Sequence, residues 1–186
     1  AGLLDINTLP GVNKDTLQPN TLKLPLSINA KMRLNINTLN WGSFSARSVN
    51  GHMDYTPGQF SLTNLKLNSL DGQASLNTDF TQNKDQSFHV KTHAYLDHIN
   101  INKAFKTFDN FGQKYIRDSN IKGFLTGEIF FSTALDSALN IRTSTLSNVS
   151  DFTIHNGELI QFEPLNNLSK FIEVSELEHI KFSMLK

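Results

Sequence analysis

A chain of 186 residues is long enough to bury one core as a single domain, residues 1–186, and needs no division. Its 17 Lys and Arg balance 17 Asp and Glu, with no basic run, so charge gives no ground for nucleic acid or an acidic membrane as partner. Cys is absent, which excludes a disulfide framework and a thiolate metal site, and no apolar run approaches the ~18 residues of a helix that crosses a bilayer.

Phe occurs 14 times while only 18% of residues are charged, and Asn, Ser and Thr dominate the polar remainder. That is the palette of half-buried strands and their turns. Residues 1–23 are weakly patterned, with Pro10-Gly11 and Pro19-Asn20 as breakers. Residues 24–36 then alternate: Leu24, Leu26, Ile28, Ala30, Met32, Leu34 and Ile36 share one parity, and Lys31, Arg33 and Asn35 the other. Successive strand side chains point to opposite faces, so this is a one-sided strand of roughly 40 Å. Val49, Gly51, Met53 and Tyr55 continue the pattern, with Gly51 inside the strand. Thr56-Pro57-Gly58-Gln59 has the Pro and Gly of a tight turn, and Phe60, Leu62, Leu65 and Leu67 form a strand whose parity slips at a bulge near Thr63-Asn64. Asp71-Gly72 turns the chain into Ala74, Leu76, Thr78 and Phe80; after Asn83-Lys84-Asp85 come Phe88, Val90, Thr92, Ala94 and Leu96. Tight connections between alternating runs predict an antiparallel meander.

From Asn100 the period changes. Ile101, Phe105, Phe108, Phe111 and Tyr115 recur at three and four, predicting a helix over 100–116 capped by Asn100 or Asn102. Its Phe stripe reads as a packing face, because the basic flank of an interfacial helix is missing. Period two returns from Ile121 to Phe131, with Phe124 and Phe130 on the opposite parity, so the helix is the natural cover for that second face. Phe152 and Ile154 lead to Asn156-Gly157, the clearest hairpin signal. Pro164, Leu165, Leu168, Phe171 and Ile172 predict a short helix over 164–172, and Ile180, Phe182 and Met184 a last strand. The fold class is therefore α+β, mostly antiparallel, a long curved meander with one amphipathic helix mid-chain and a short one near the C-terminus.

Chemistry has few footholds. There is no nucleophile elbow, phosphate loop or HExxH, so no catalytic residue or cofactor is expected. A paired-carboxylate site leaves no sequence signature. Asp71, Asp118 and Asp151 read as turn and capping residues. His89 and His93 share a face but lie about 13 Å apart along a strand, too far for one metal, and His98 and His155 are remote from each other in sequence.

The segment Phe152, Ile154, Asn156, Gly157, Leu159, Phe162 and Leu165, followed by Ile180 and Phe182, resembles the closing segment of the AsmA-like family of bacterial envelope proteins. Residues 105–116 with Gly123, Leu125 and Gly127, and the meander with Asp71-Gly72, resemble that family's preceding elements; the likeness runs over roughly residues 24–184. The resemblance implies a non-enzymatic, lipid-binding or lipid-conducting β-groove in the periplasm of a Gram-negative cell, supporting lipid transport or outer-membrane assembly. It also implies an excised C-terminal portion of a longer, membrane-anchored protein, with a phospholipid or other acyl-chain lipid, and other envelope proteins, as partners. An acyl chain offers no hydrogen bonds, so its wall must be a sheet face without polar side chains. The wall is then Leu24, Leu26, Ile28, Met32 and Leu34, extended by Leu62, Leu67, Leu76 and Val90, with Met32 and Met53 adapting to irregular chains. The alternative is a structural or interaction domain in which these same faces close into an ordinary core.

Overall fold

A chain that reverses in two residues must pair each new strand with the one it has just left. The computed structural model describes residues 3–5, 27–162 and 179–186, and each of their strands lies beside its neighbour in sequence, with two-residue reversals joining β2 to β3, β3 to β4 and β4 to β5. Nine strands form one sheet in sequence order: β1 (Leu3–Asp5), β2 (Ala30–Trp41), β3 (Phe44–Thr56), β4 (Gln59–Ser69), β5 (Gly72–Gln82), β6 (Phe88–Asn100), β7 (Ile121–Leu135), β8 (Ser147–Ile160) and β9 (His179–Leu185). The one α-helix among the described residues, α1 (Ile101–Thr107), follows β6. β1 runs parallel to β2, while β2–β3, β3–β4 and β8–β9 pair antiparallel. The fold is α+β and mostly an antiparallel meander, as the alternation implies.

The turns fix the register. Trp41 opposes Phe44 across Gly42-Ser43, and Thr56 opposes Gln59 across Pro57-Gly58, where Gly58 takes φ 76°. The next reversal falls one residue earlier than Asp71-Gly72 suggests: Leu70 and Asp71 both have positive φ and Gly72 opens β5. That is the backbone a two-residue hairpin needs to match the twist of its strands.

Inside the strands stand single left-handed residues. Ser48, Asn64, His98 and Asn156 have φ near +50° within β3, β4, β6 and β8. Ahead of Asn64, Phe60 and Leu62 share a face; beyond it Leu65 and Leu67 take over, both buried. The bulge read at Thr63-Asn64 is present, its Asn64 N–H donating to Asn77 Oδ1 at 2.8 Å. Gly51 lies inside β3 opposite Leu34, where a Cβ would come within 2.9 Å of Leu65 Cα.

Three expectations change. The first strand is not 24–36 but begins at Ala30 and extends to Trp41; Ser27, Ile28 and Asn29 precede it, and Leu24 and Leu26 lie outside the described residues. The reason is pairing: Ala30 opposes Tyr55, β3 ends at Thr56, and Pro57 begins the turn. Secondly, Asn156-Gly157 is no hairpin. β8 runs through it, with Asn156 left-handed and Gly157 opposite Phe182, whose ring fills the space of the missing side chain. Thirdly, the helix stops at Thr107. Asn100 caps its start, its Oδ1 accepting from Lys103 N–H at 3.1 Å. Asp109, Asn110, Phe111 and Gly112 are then all left-handed, φ 48–68°, a conformation that Asp, Asn and Gly tolerate and that ends a right-handed helix. The helix expected over 164–172 lies outside the described residues; the last strand is present as β9.

Contacts gather into two units: Ala1–Ser69 with Ala74–Tyr95 and Glu128–Ser150, and Leu70–Gln73 with Leu96–Gly127 and Asp151–Lys186. In the first, Ala46, Val49, Leu65 and Leu67 form a buried cluster against which Leu34, Ile36, Leu39, Phe44, Leu62, Ala74 and Leu76 pack. In the second, Ile99, Ile101 and Ile121 are buried. There β7 and β8 approach closely at Gly127, where a Cβ would overlap the Asp151 carbonyl oxygen and lie 2.9 Å from Phe152 Cα. Gly127→Ala therefore costs about 2–3 kcal/mol, since the nearest atom it meets is a backbone carbonyl oxygen, which has no rotamer to escape into. Urea melts of the two proteins check this; equal midpoints contradict it.

Candidate functional site

The register carries the apolar face across three strands, because residues opposite one another in a ladder point the same way. Ala30, Tyr55 and Phe60 make one row, and Met32, Met53 and Leu62 the next. Leu34 opposes Gly51, and the buried cluster begins there. Among the described residues, all members of the cluster belong to β2, β3, β4 and β5. The sheet face thus carries the chemistry of an apolar wall, sealed at Ala46 (0% exposed) and Val49 (1%) and opening toward Met32 (47%).

The expected wall residues divide accordingly. Leu34, Leu62, Leu67 and Leu76 come together in this cluster. Met32 is on the same face at its open end, and Lys31 and Arg33 are exposed on the other parity. Ile28 is half exposed and precedes the strand, so it is no part of the paired face. Val90 is buried on β6 but is not a member of the cluster. Leu24 and Leu26 lie outside the described residues.

Polar groups interrupt the wall farther along. Thr78 and Thr92 bring their hydroxyls to 3.1 Å, beside the contact of Phe80 with Phe88 at 4.8 Å between centroids. Thr133, 2% exposed, has its hydroxyl 3.3 Å from the Ala134 carbonyl and 3.4 Å from Thr145 Oγ1. Thr substitutes for Val in strand alternation without breaking the pattern, so these hydroxyls carry no separate sequence signal.

On the first unit's other sheet face, a depression of about 320 Å³ is lined by Asp79, Lys91, His93, Phe130 and Val149 among others. His93 stacks on Phe130 at 4.1 Å, with Nε2 3.5 Å from Glu128. In the second unit His98 stacks on Phe124 at 4.1 Å. The helix is the expected partner of the two outward phenylalanines of β7; each instead stacks on an imidazole ring, and Phe130 stays half exposed. Among the described residues no three His, Asp or Glu side chains are grouped to hold a metal.

The carboxylates serve local structure. Asp71 is held below the usual carboxylate range by the Lys103 ammonium at 2.6 Å and then by the Asn100 amide, which ties the β4–β5 turn to the start of α1. Asp85 is lowered by Ser87 and Asp136 by Asn140, each inside its own turn. Asp118 sits beside the loop after α1, its N–H donating to Asn110, whereas Asp151 is an exposed residue within β8 and not a turn residue. Glu158 is the most perturbed. Lys122 Nζ and His179 Nδ1, each at 2.9 Å, lower it to about 2. These partners come from β7 and β9 and so clamp three strands together.

No protein-family model, curated protein or solved structure matches the chain.

The Glu158 clamp has a pH signature. Its folded pKa lies below the ordinary value of 4.5, so its contribution to stability is complete above about pH 4.5 and fades as pH falls toward 2. Glu158→Gln removes that part of the acid dependence. In melts between pH 6 and pH 2 (roughly the window in which carboxylates titrate) the native protein loses more stability than the variant. Parallel curves contradict the clamp.

Proposed function

We propose that this chain is a non-enzymatic lipid-binding module whose ligand wall is the apolar face of β2 to β4. The observation that carries the reading is the pair of rows Ala30–Tyr55–Phe60 and Met32–Met53–Leu62, which continues a sealed cluster to a half-exposed methionine. Such a face offers a hydrocarbon chain dispersion contacts while the backbone groups beneath are satisfied in the ladder. Methionine at its open end adapts to a flexible ligand. The resemblance to the AsmA-like closing segment supports an acyl-chain lipid as ligand and the periplasmic envelope as setting, with lipid transport or outer-membrane assembly as the role.

A second reading is a structural or interaction domain of the envelope. The sealing of Ala46 and Val49 favours it, because those positions behave as ordinary core. Native mass spectrometry of protein purified from cells separates the two: bound phospholipid supports the module, and its absence favours the closed domain.

Two substitutions sharpen the test. Leu67→Asp puts a carboxylate at an 8% exposed position and destabilises folding by about 3 kcal/mol or more under either reading. Met32→Asp leaves its carboxylate in water and shifts stability by about 0.5 kcal/mol at most. Under the lipid reading it still reduces uptake of a fluorescent fatty acid. Full uptake by a folded Met32→Asp protein contradicts the wall at this end of the face.

A further inference from the structure

We propose that the loop after α1, residues 108–117, is a membrane-docking tip that places Phe111 and Tyr115 among the headgroups of an anionic bilayer. The loop is built inside out. Its amides turn inward: Gln113 Oε1 accepts from Tyr115 N–H at 2.7 Å and Ile116 N–H at 2.9 Å, while its Nε2 donates to the Ile116 carbonyl. Asn110 Oδ1 accepts from Asp118 N–H at 2.8 Å, and Asn102 Nδ2 donates to the Asp118 carbonyl. Asn102, Asn110 and Gln113 are half-buried, whereas Phe111 is 58% and Tyr115 81% exposed. Phe111 contacts the Phe105 ring edge-on at 5.1 Å and Phe108 at 5.6 Å, so these three rings form one cluster, with Tyr115 exposed four residues beyond Phe111. Exposed aromatics held by a hydrogen-bonded loop mark an interaction surface.

Charge selects the partner. Lys106, Lys114 and Arg117 are exposed along this stretch, against Asp109 within it, a local basic excess in a chain whose charges sum to zero. Lys103 is held by Asp71 and is not counted among them. As a straight helical stripe the Phe series lacked a basic flank; as a left-handed turn following a short helix it presents aromatics with cations before and after them. Phe and Tyr favour the interface between water and hydrocarbon, and Lys and Arg bind anionic headgroups there. A bilayer surface satisfies both features. This tip is separate from the β2–β4 face and does not depend on that face binding lipid.

The test uses the whole chain with its single Trp, exposed Trp41, replaced by Phe, and Tyr115→Trp as reporter. Vesicles of phosphatidylcholine, with and without phosphatidylglycerol, carry brominated acyl chains. Binding to the anionic vesicles, with a blue shift and bromine quenching of the reporter, is the expected result. Lys114→Gln and Arg117→Gln each weaken it about fivefold, and Phe111→Ser about tenfold or more. Circular dichroism and fatty-acid uptake remain those of the parent, which separates failure of the tip from failure of the β2–β4 face. Equal binding to neutral vesicles, an unquenched reporter on bound vesicles, or unchanged binding of Phe111→Ser overturns the proposal. So does self-association that Phe111→Ser abolishes without any vesicle binding, since the cluster is then a contact between protein copies.

Discussion

The backbone ladder is the constraint from which the other features follow. Each strand hydrogen-bonds to its sequence neighbours, and the two-residue turns leave no freedom in the pairing. Once Trp41 is set against Phe44 and Thr56 against Gln59, Met32 must meet Met53 and Met53 must meet Leu62. A slip of one residue would send every one of these side chains to the opposite face. The apolar face is therefore a consequence of turn chemistry as much as of hydrophobic pattern. Its named members, among the described residues, all come from the neighbouring strands β2 to β5.

Polar side chains are used mainly to hold backbone in unusual conformations. Asn77 receives the N–H freed at the Asn64 bulge, Asn100 caps α1, and Asp71 joins that cap to the preceding turn. Gln113 and Asn110 stitch the loop after the helix. Each left-handed non-glycine residue carries a conformational cost, and hydrogen bonds of this kind offset it. Glu158 does comparable work between strands, where its two partners keep it ionised well into acid.

Much of this was legible from residue order. Alternation identified the strands, Pro57-Gly58 a turn, the parity slip a bulge at Asn64, and Asn100 a helix cap. What misled was local chemistry with two outcomes. Asn-Gly supplies positive φ, which a hairpin needs but a continuous strand also accommodates; at Asn156 β8 runs on, and Gly157 lies opposite Phe182 of β9. The Phe105, Phe108, Phe111 and Tyr115 spacing fits a helix, but Asp109, Asn110 and Gly112 within it are the residues most at ease in the left-handed region. The clustering of Leu34, Leu62, Leu67 and Leu76 was legible from alternation once the parity slip at Asn64 is allowed for. Ile28 falls before the strand because a strand extends only as far as its partner does, and a partner's end is a tertiary fact. The histidine covers on Phe124 and Phe130 depend on cross-strand pairing and had no sequence signal.

The central claim is that hydrocarbon lies along the β2 to β4 face at its methionine end. A fatty acid bearing a diazirine at its chain terminus tests this directly, by light-induced insertion and peptide mass mapping on the intact protein. The account predicts adducts concentrated on peptides containing Met32, Met53 and Leu62, and competed away by unlabelled fatty acid. Adducts that are absent, that resist competition, or that fall on other strands would contradict it.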